Sequence, residues 1–230
     1  MLKNLPPWEK LLKKMVWAQL GDAKGKRILD FGSGIGISAN HYAQHNEVVA
    51  IEPDSKLVTQ RWKENSYQQI VGSVEALKSF PDACFDMILC HSVLEYVPNR
   101  EEAVTEFCRL LKPKGELSVV KHNPPGRVMQ MTVLLNQFER AERILSGKDD
   151  LSTEYGTIHY YGDSDIEEWC DGLEVCDSHG ICTFWRLQQN QEIQHDEAWQ
   201  EKMLKMEMQV SDIEIYKNIA FFHHVLFRKK

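Results

Sequence analysis

Residues 27–40, Arg-Ile-Leu-Asp-Phe-Gly-Ser-Gly-Ile-Gly-Ile-Ser-Ala-Asn, constrain the fold of this chain more than any other stretch. An apolar run reaches Asp30, glycines follow at 32, 34 and 36, and a helix-compatible segment begins. That order reads as strand, tight turn and helix N-terminus. Glycine is needed because a side chain there would block close backbone approach to a ligand or demand a positive φ. Amide groups presented by the turn and the first helical turn suit a carboxylate or a phosphate. A dinucleotide fingerprint wants its third glycine one residue later, where this chain has the bulky Ile37.

The rest of the chain alternates between helical and strand patterns. Pro7 and the apolar face of Trp8, Leu11, Leu12, Met15 and Val16 predict an N-terminal helix within residues 1–25, closed by Gly21 and Gly25. A crossover helix is expected over 37–45. Glu47 to Pro53 reads as a second buried strand ending in Glu52, which a ribose can meet through both hydroxyls. A helix to about residue 64 and a third strand over 68–73 follow. The fourth strand, over 85–90, is nearly all apolar, as a central parallel strand should be. Then come a helix over 100–111, the turn Lys112-Pro113-Lys114-Gly115 and a fifth strand over 116–121. Residues 122–162 are expected to add a helical cap insertion whose polar end is rich in tyrosine. His122-Asn123-Pro124-Pro125-Gly126 opens it as a loop breaker. A short helix over 165–170, a strand region over 174–187, a helix over 191–208 and a last strand over 220–227 complete a single expected domain, 1–230.

The Asp30-x-Gly32-x-Gly34-x-Gly36 form resembles motif I of the class I S-adenosylmethionine (SAM) methyltransferases. The strand-4 block into His91-Ser92-Val93-Leu94-Glu95-Tyr96 and the Leu110-Leu111-Lys112-Pro113-x-Gly115 turn resemble the same family, in the right order. The resemblance implies an α/β fold: a Rossmann-like seven-stranded sheet with strand 7 antiparallel and helices on both faces. It implies SAM as cofactor, leaving as S-adenosyl-L-homocysteine. The cofactor site it implies comprises Asp30, Gly32, Ser33, Gly34, Gly36, Glu52, Ser73, Val74 and His91. Ser73 stands where the family usually has an acid facing the adenine. A looser likeness covers the enzymes that methylate the carboxyl of 5-carboxymethoxyuridine at the tRNA wobble position. It lies in residues 91–96, in the insertion after strand 5 and in the layout of the C-terminal part.

Methyl transfer from a sulfonium is an in-line displacement, in which positioning does much of the work. A carboxylate acceptor needs no general base, whereas a hydroxyl or amine must lose a proton. His91, Ser92, Glu95, Tyr96, His122 and Asn123 are expected at the mouth of the site, outside the strand ends. His122 and Tyr160 are the candidates for catalysis, and Tyr96, Arg127 and His159 for holding the substrate. The net charge is −7, yet residues 1–27 carry +5 and residues 121–148 carry +3. Two basic segments on an acidic body point to an anionic acceptor, a tRNA or a small carboxylic acid.

Several classes are disfavoured. Ile37 and the absence of any Tyr-x-x-x-Lys argue against an NAD-dependent dehydrogenase. Six cysteines without a C-x-x-C pair read as reduced thiols, and no metal is expected. No apolar run is long enough to span a membrane and the opening has no signal-peptide core, so a cytoplasmic enzyme is expected.

Overall fold

Seven strands form one sheet in the computed structural model, which describes residues 5–151 and 155–230. They are β1 (Arg27–Phe31), β2 (Glu47–Glu52), β3 (Gln68–Val71), β4 (Phe85–His91), β5 (Leu111–His122), β6 (Leu173–Ile181) and β7 (Phe222–Lys229). Their order across the sheet is β3-β2-β1-β4-β5-β7-β6. The first five are parallel, and the last strand is antiparallel. The order turns back between β1 and β4, and ligands of such sheets bind outside the carboxyl ends of the strands at that reversal. The expected Rossmann-like sheet is therefore present.

By its contacts the chain divides into two compact units. One comprises Ala23–Val120, Tyr161–Asp177 and Val225–Lys230. Its core is built on β4, where Met87 to Cys90 are fully buried, together with Leu29, Phe107, Leu117, Ile166 and Phe227. A strand covered on both faces must be apolar at every position, which is why 87–90 show no alternation. The helices here are α2 (Ile37–Tyr42), α3 (Ser55–Thr59), α4 (Val74–Leu77), α5 (Arg100–Leu110) and α8 (Asp163–Trp169).

Two expectations need correction in this unit. The helix after β2 stops at Thr59 rather than near residue 64. Beyond it the chain is tied to the glycine turn: Trp62 N donates to the Ile35 carbonyl at 2.8 Å, and Asn65 makes two hydrogen bonds with Asn40. Those non-local bonds override the helical spacing. The fifth strand begins at Leu111, and the expected turn is an outward loop within it. Leu111 sits opposite Phe85 and Glu116 opposite Met87, so residues 112–115 face only Asp86. Lys114 there has φ +63°.

The other unit comprises Met1–Asp22, Lys121–Tyr160 and Ser178–His224. Its α-helices are α1 (Pro7–Leu20), α6 (Pro124–Met129), α7 (Phe138–Leu145), α9 (Glu197–Val210) and α10 (Glu214–Lys217). α1 buries Leu11, Leu12, Met15 and Val16 and packs against α9. The expected helix over 191–208 is two pieces, a short 3-10 turn at Ile193–His195 and then α9, which Asp196 caps through the Trp199 amide. Residues 152–154 of the expected cap lie outside the described residues. No helix among the described residues is long and apolar enough to cross a membrane.

Fully buried His224 lies in this unit with Nδ1 2.8 Å from Gln19 Oε1. Burial, and then His179 nearby, push its pKa down to about 3. The unfolded chain therefore binds a proton that the folded chain refuses. Stability is retained above the usual histidine range and lost as pH falls through it. A loss of roughly 2 kcal/mol is expected between neutrality and about pH 5. Urea midpoints of the parent and His224→Leu at both pH values check this; an equal slope in the two proteins would refute it.

Candidate functional site

The glycine turn is held from within. Gly32, Gly34 and Gly36 have φ of +75°, +54° and +72°, the left-handed region their spacing required. Both Gly32 N (2.8 Å) and Ser33 N (3.0 Å) donate to the Ile51 carbonyl, and Gly36 N donates to Ser33 O at 2.8 Å. Gly34 N donates to Glu52 Oε2 at 2.8 Å, and Asp54 N to Glu52 Oε1 at 2.9 Å. The amides of Gly32, Ser33, Gly34 and Gly36 thus each have an acceptor that closes the turn.

What remains for a ligand is space and an acceptor. A Cβ added at Gly32 would sit 2.3 Å from Val93 Cγ2, and one at Gly36 would sit 2.1 Å from the Tyr67 hydroxyl. A Cβ at Gly34 would meet nothing within 4 Å. The turn thus leaves a cradle at Gly34 that any side chain would fill. Glu52 is 7% exposed, and each carboxylate oxygen keeps a lone pair beyond its one amide bond. An acid at the end of β2 beside an open glycine fits the ribose of an adenosine cofactor. Gln69 and Tyr67 support this turn without having stood out in the sequence. Gln69 Nε2 reaches the Ala50 carbonyl at 3.2 Å and Ser33 Oγ at 3.4 Å, and Tyr67 bonds the Trp62 carbonyl.

The other cofactor candidates are placed less uniformly. Asp30 lies on β1, 3% exposed. Val74 turns its side chain into the core, so only its backbone is left for adenine. Ser73 N donates to Glu75 Oε1 at 2.8 Å. That bond, before other causes, holds the Glu75 carboxyl below its usual range. Glu75 is thus an acid beside Ser73, reached from the following helical turn. At the end of β4, His91 Nε2 lies 2.8 Å from Ser118 Oγ, so that ring nitrogen serves the sheet. Ser92 adopts φ +58°, a strained conformation for a non-glycine residue at a strand end where ligands bind. Tyr96 is half-buried, while Glu95, expected at the mouth, is 1% exposed.

The acceptor-side candidates other than Tyr96, namely His122, Arg127, His159 and Tyr160, belong to the other unit. The His122 ring is tilted against Phe222, 4.8 Å between centroids. Asn123 is a structural clamp rather than a mouth residue, its Nδ2 donating to the Asn218 (3.0 Å) and Ala220 (2.7 Å) carbonyls. Arg127, expected to meet an acceptor carboxylate, pairs instead with Asp150, with Nη2 2.8 Å from Oδ2. Arg140 takes the other oxygen of that 2% exposed acid. A buried carboxylate needs such partners, and Arg127 is committed to it. His159 Nδ1 lies 2.7 Å from Asp149 Oδ2. Tyr160 packs on Met131, Ala141 and Ile144, and burial lifts its phenol well above the usual range, which argues against proton transfer near neutrality.

Comparison with known proteins bears on this geometry. A family described as a methyltransferase domain matches residues 29–119, from β1 into β5. A ubiquinone/menaquinone biosynthesis C-methyltransferase, UbiE, of Francisella tularensis subsp. novicida is 29% identical over 126 residues, 50% of each chain. A ubiquinone biosynthesis O-methyltransferase of Alkalilimnicola ehrlichii is 35% identical over 115 residues, 46% of each chain. The chain thus spans about half the length of the curated relatives it matches. A crystal structure of an S-adenosylmethionine-dependent methyltransferase from Mesorhizobium loti aligns over 100% of both chains with a TM-score of 0.61 at 14% identity. Residues 29–119 thus resemble a methyltransferase domain, and the chain as a whole shares its fold with a solved SAM-dependent methyltransferase.

Proposed function

We propose that this protein is a SAM-dependent methyltransferase that moves a methyl group to a carboxylate or another oxygen or nitrogen acceptor. The observation that carries the reading is the pair of Glu52 and Gly34: a buried acid at the end of β2, bonded to a glycine with open space before it. Bound SAM supplies the methyl group and leaves as S-adenosyl-L-homocysteine. Glu52 would accept the ribose hydroxyls, the cradle at Gly34 would admit the ligand close to the backbone, and Ser73 with Glu75 would meet the adenine.

A carboxylate acceptor agrees best with what the side chains do. It needs no proton removed. Nε2 of His91 is bonded to Ser118 and Tyr160 is held protonated by burial, which leaves His122, packed against Phe222, to take a proton should the acceptor be a hydroxyl or an amine. A small organic acid is preferred over a tRNA carboxyl group, because Arg127 and His159 are paired with Asp150 and Asp149. Thermal stability should rise with SAM by about 2.7 kcal/mol at a hundredfold excess over its dissociation constant, and should not rise with NAD. A shift with NAD alone would overturn the reading. Labelled methyl from SAM should appear in RNase-resistant small molecules; RNase-sensitive label would return the acceptor to tRNA.

A further inference from the structure

Within the unit that holds α1 and α9 lies a cavity of about 330 Å³, the low end of the roughly 300–1,000 Å³ typical of small-molecule sites. Trp8, Leu134, Trp185, Arg186 and Gln191 are among its lining residues. Arg186 is unlike the other arginines there. Arg127 and Arg140 share Asp150, but Arg186 has no ion pair and no hydrogen-bond acceptor among the described residues. Its guanidinium lies over the Trp8 indole, 4.3 Å from the ring centroid, and its Nε is fully buried without a partner. Of the five N–H donors of a guanidinium, the one at Nε is out of reach of water here, and a buried donor without an acceptor is costly.

The surroundings hold this arginine in place. Glu207 accepts the amides of Thr183, Phe184 and Trp185, fixing the segment just before Arg186, and Trp185 Nε1 donates to Gln194 Oε1 at 3.0 Å. Such a wall is already organised for a ligand. Gln191 Nε2 is bonded to the Gln188 carbonyl at 3.1 Å; Gln188, Gln189 and Gln194 also line the cavity, and Trp8, Trp185, Leu134 and Leu135 offer an apolar surface to a flat body.

We infer that this cavity binds a small organic anion, a flat apolar body bearing one carboxylate that Arg186 holds through two N–H groups. Carboxylate and guanidinium match in this paired geometry. One available cation suits a single charge better than a phosphate dianion, since the neighbouring Arg127 is committed to Asp150. That the ligand is the methyl acceptor rests on the methyltransferase reading; that it binds does not.

The test is calorimetry on the whole protein without SAM, using benzoate, phenylacetate and indole-3-acetate beside their neutral amides. At least one acid should bind tenfold or more tightly than its amide. Arg186→Met should erase that preference, and Arg186→Lys should keep part of it. The ligand-free Arg186→Met protein should melt close to the parent, because the stacking on Trp8 that it loses is offset by removal of a buried N–H without an acceptor. Should the Met variant not fold, Arg186→Gln makes the same comparison. Equal binding of acids and amides, no binding at millimolar concentration, or a preference that survives Arg186→Met would overturn the inference. Tighter binding of uridine 5′-monophosphate than of every acid would overturn the carboxylate assignment. SAM binding is measured on the same samples, so a failed cofactor reading shows separately.

Discussion

Glu207→Ala is expected to lower stability by about 3–5 kcal/mol, because three amides, two of them in buried bonds, lose their acceptor together and each orphaned group costs roughly 1–3 kcal/mol. Glu207 is 0% exposed on α9, and the amides of Thr183 (2.7 Å), Phe184 (2.9 Å) and Trp185 (2.7 Å) converge on its two oxygens. Alanine also leaves a void where water has little access. Glu207→Gln keeps one acceptor oxygen and should fall between the two. Burial raises the Glu207 carboxyl above its usual range, against the opposing pull of the three amides. The folded chain therefore holds this proton more tightly than the unfolded chain. The contribution is full below the unfolded value of 4.5 and is lost as pH rises through the folded one. Urea denaturation of the parent and both variants, at pH values on either side of that window, reads both effects. A loss below about 1 kcal/mol for the alanine variant would mean the amides find other acceptors.

The parts of this protein that could be read from its sequence are those fixed by local spacing. Asp30 and Glu52 sit on buried strands whose apolar runs are legible one residue at a time, and the three glycines declare their positive φ by alternation. What could not be read depends on partners far along the chain. Arg127 is free by every local sign, yet its acceptor is Asp150, 23 residues on. Nothing in 197–210 marks Glu207 as the one acid facing inward, since the helix is charged on most of its turns. Arg186 sits in a stretch with neither helical nor alternating pattern, and only the structure sets it over Trp8. α3 ends early for the same reason: Trp62 and Asn65 bond to residues 27 and 25 positions back, which no window of periodicity contains. The family match ends at residue 119, before the acceptor candidates from 122 on.

The three glycines should separate folding from cofactor binding when each is replaced by alanine. Gly36→Ala places a methyl 2.1 Å from the Tyr67 hydroxyl at φ +72°, in a turn fixed by Trp62. Left-handed backbone costs about 1–2 kcal/mol and overpacking about 1–3 more, so this variant should be clearly destabilised. Gly32→Ala should behave alike, since Val93 Cγ2 would be 2.3 Å away. Gly34→Ala has φ +54° but meets nothing within 4 Å, so it should fold at a cost of only about 1–2 kcal/mol. Its methyl nevertheless occupies the cradle, and SAM binding should be lost. Glu52→Ala completes the comparison. It removes charged hydrogen bonds to the ribose, roughly 1.5–3 kcal/mol or at least tenfold in affinity. It also frees the Gly34 and Asp54 amides, so stability falls as well, contrary to the view of Glu52 as a ligand contact alone. Calorimetry with SAM beside thermal melts of each variant distinguishes these cases. A folded Gly34→Ala protein that binds SAM as tightly as the parent would show that the cofactor does not enter at this glycine, and the Glu52 assignment would fall with it.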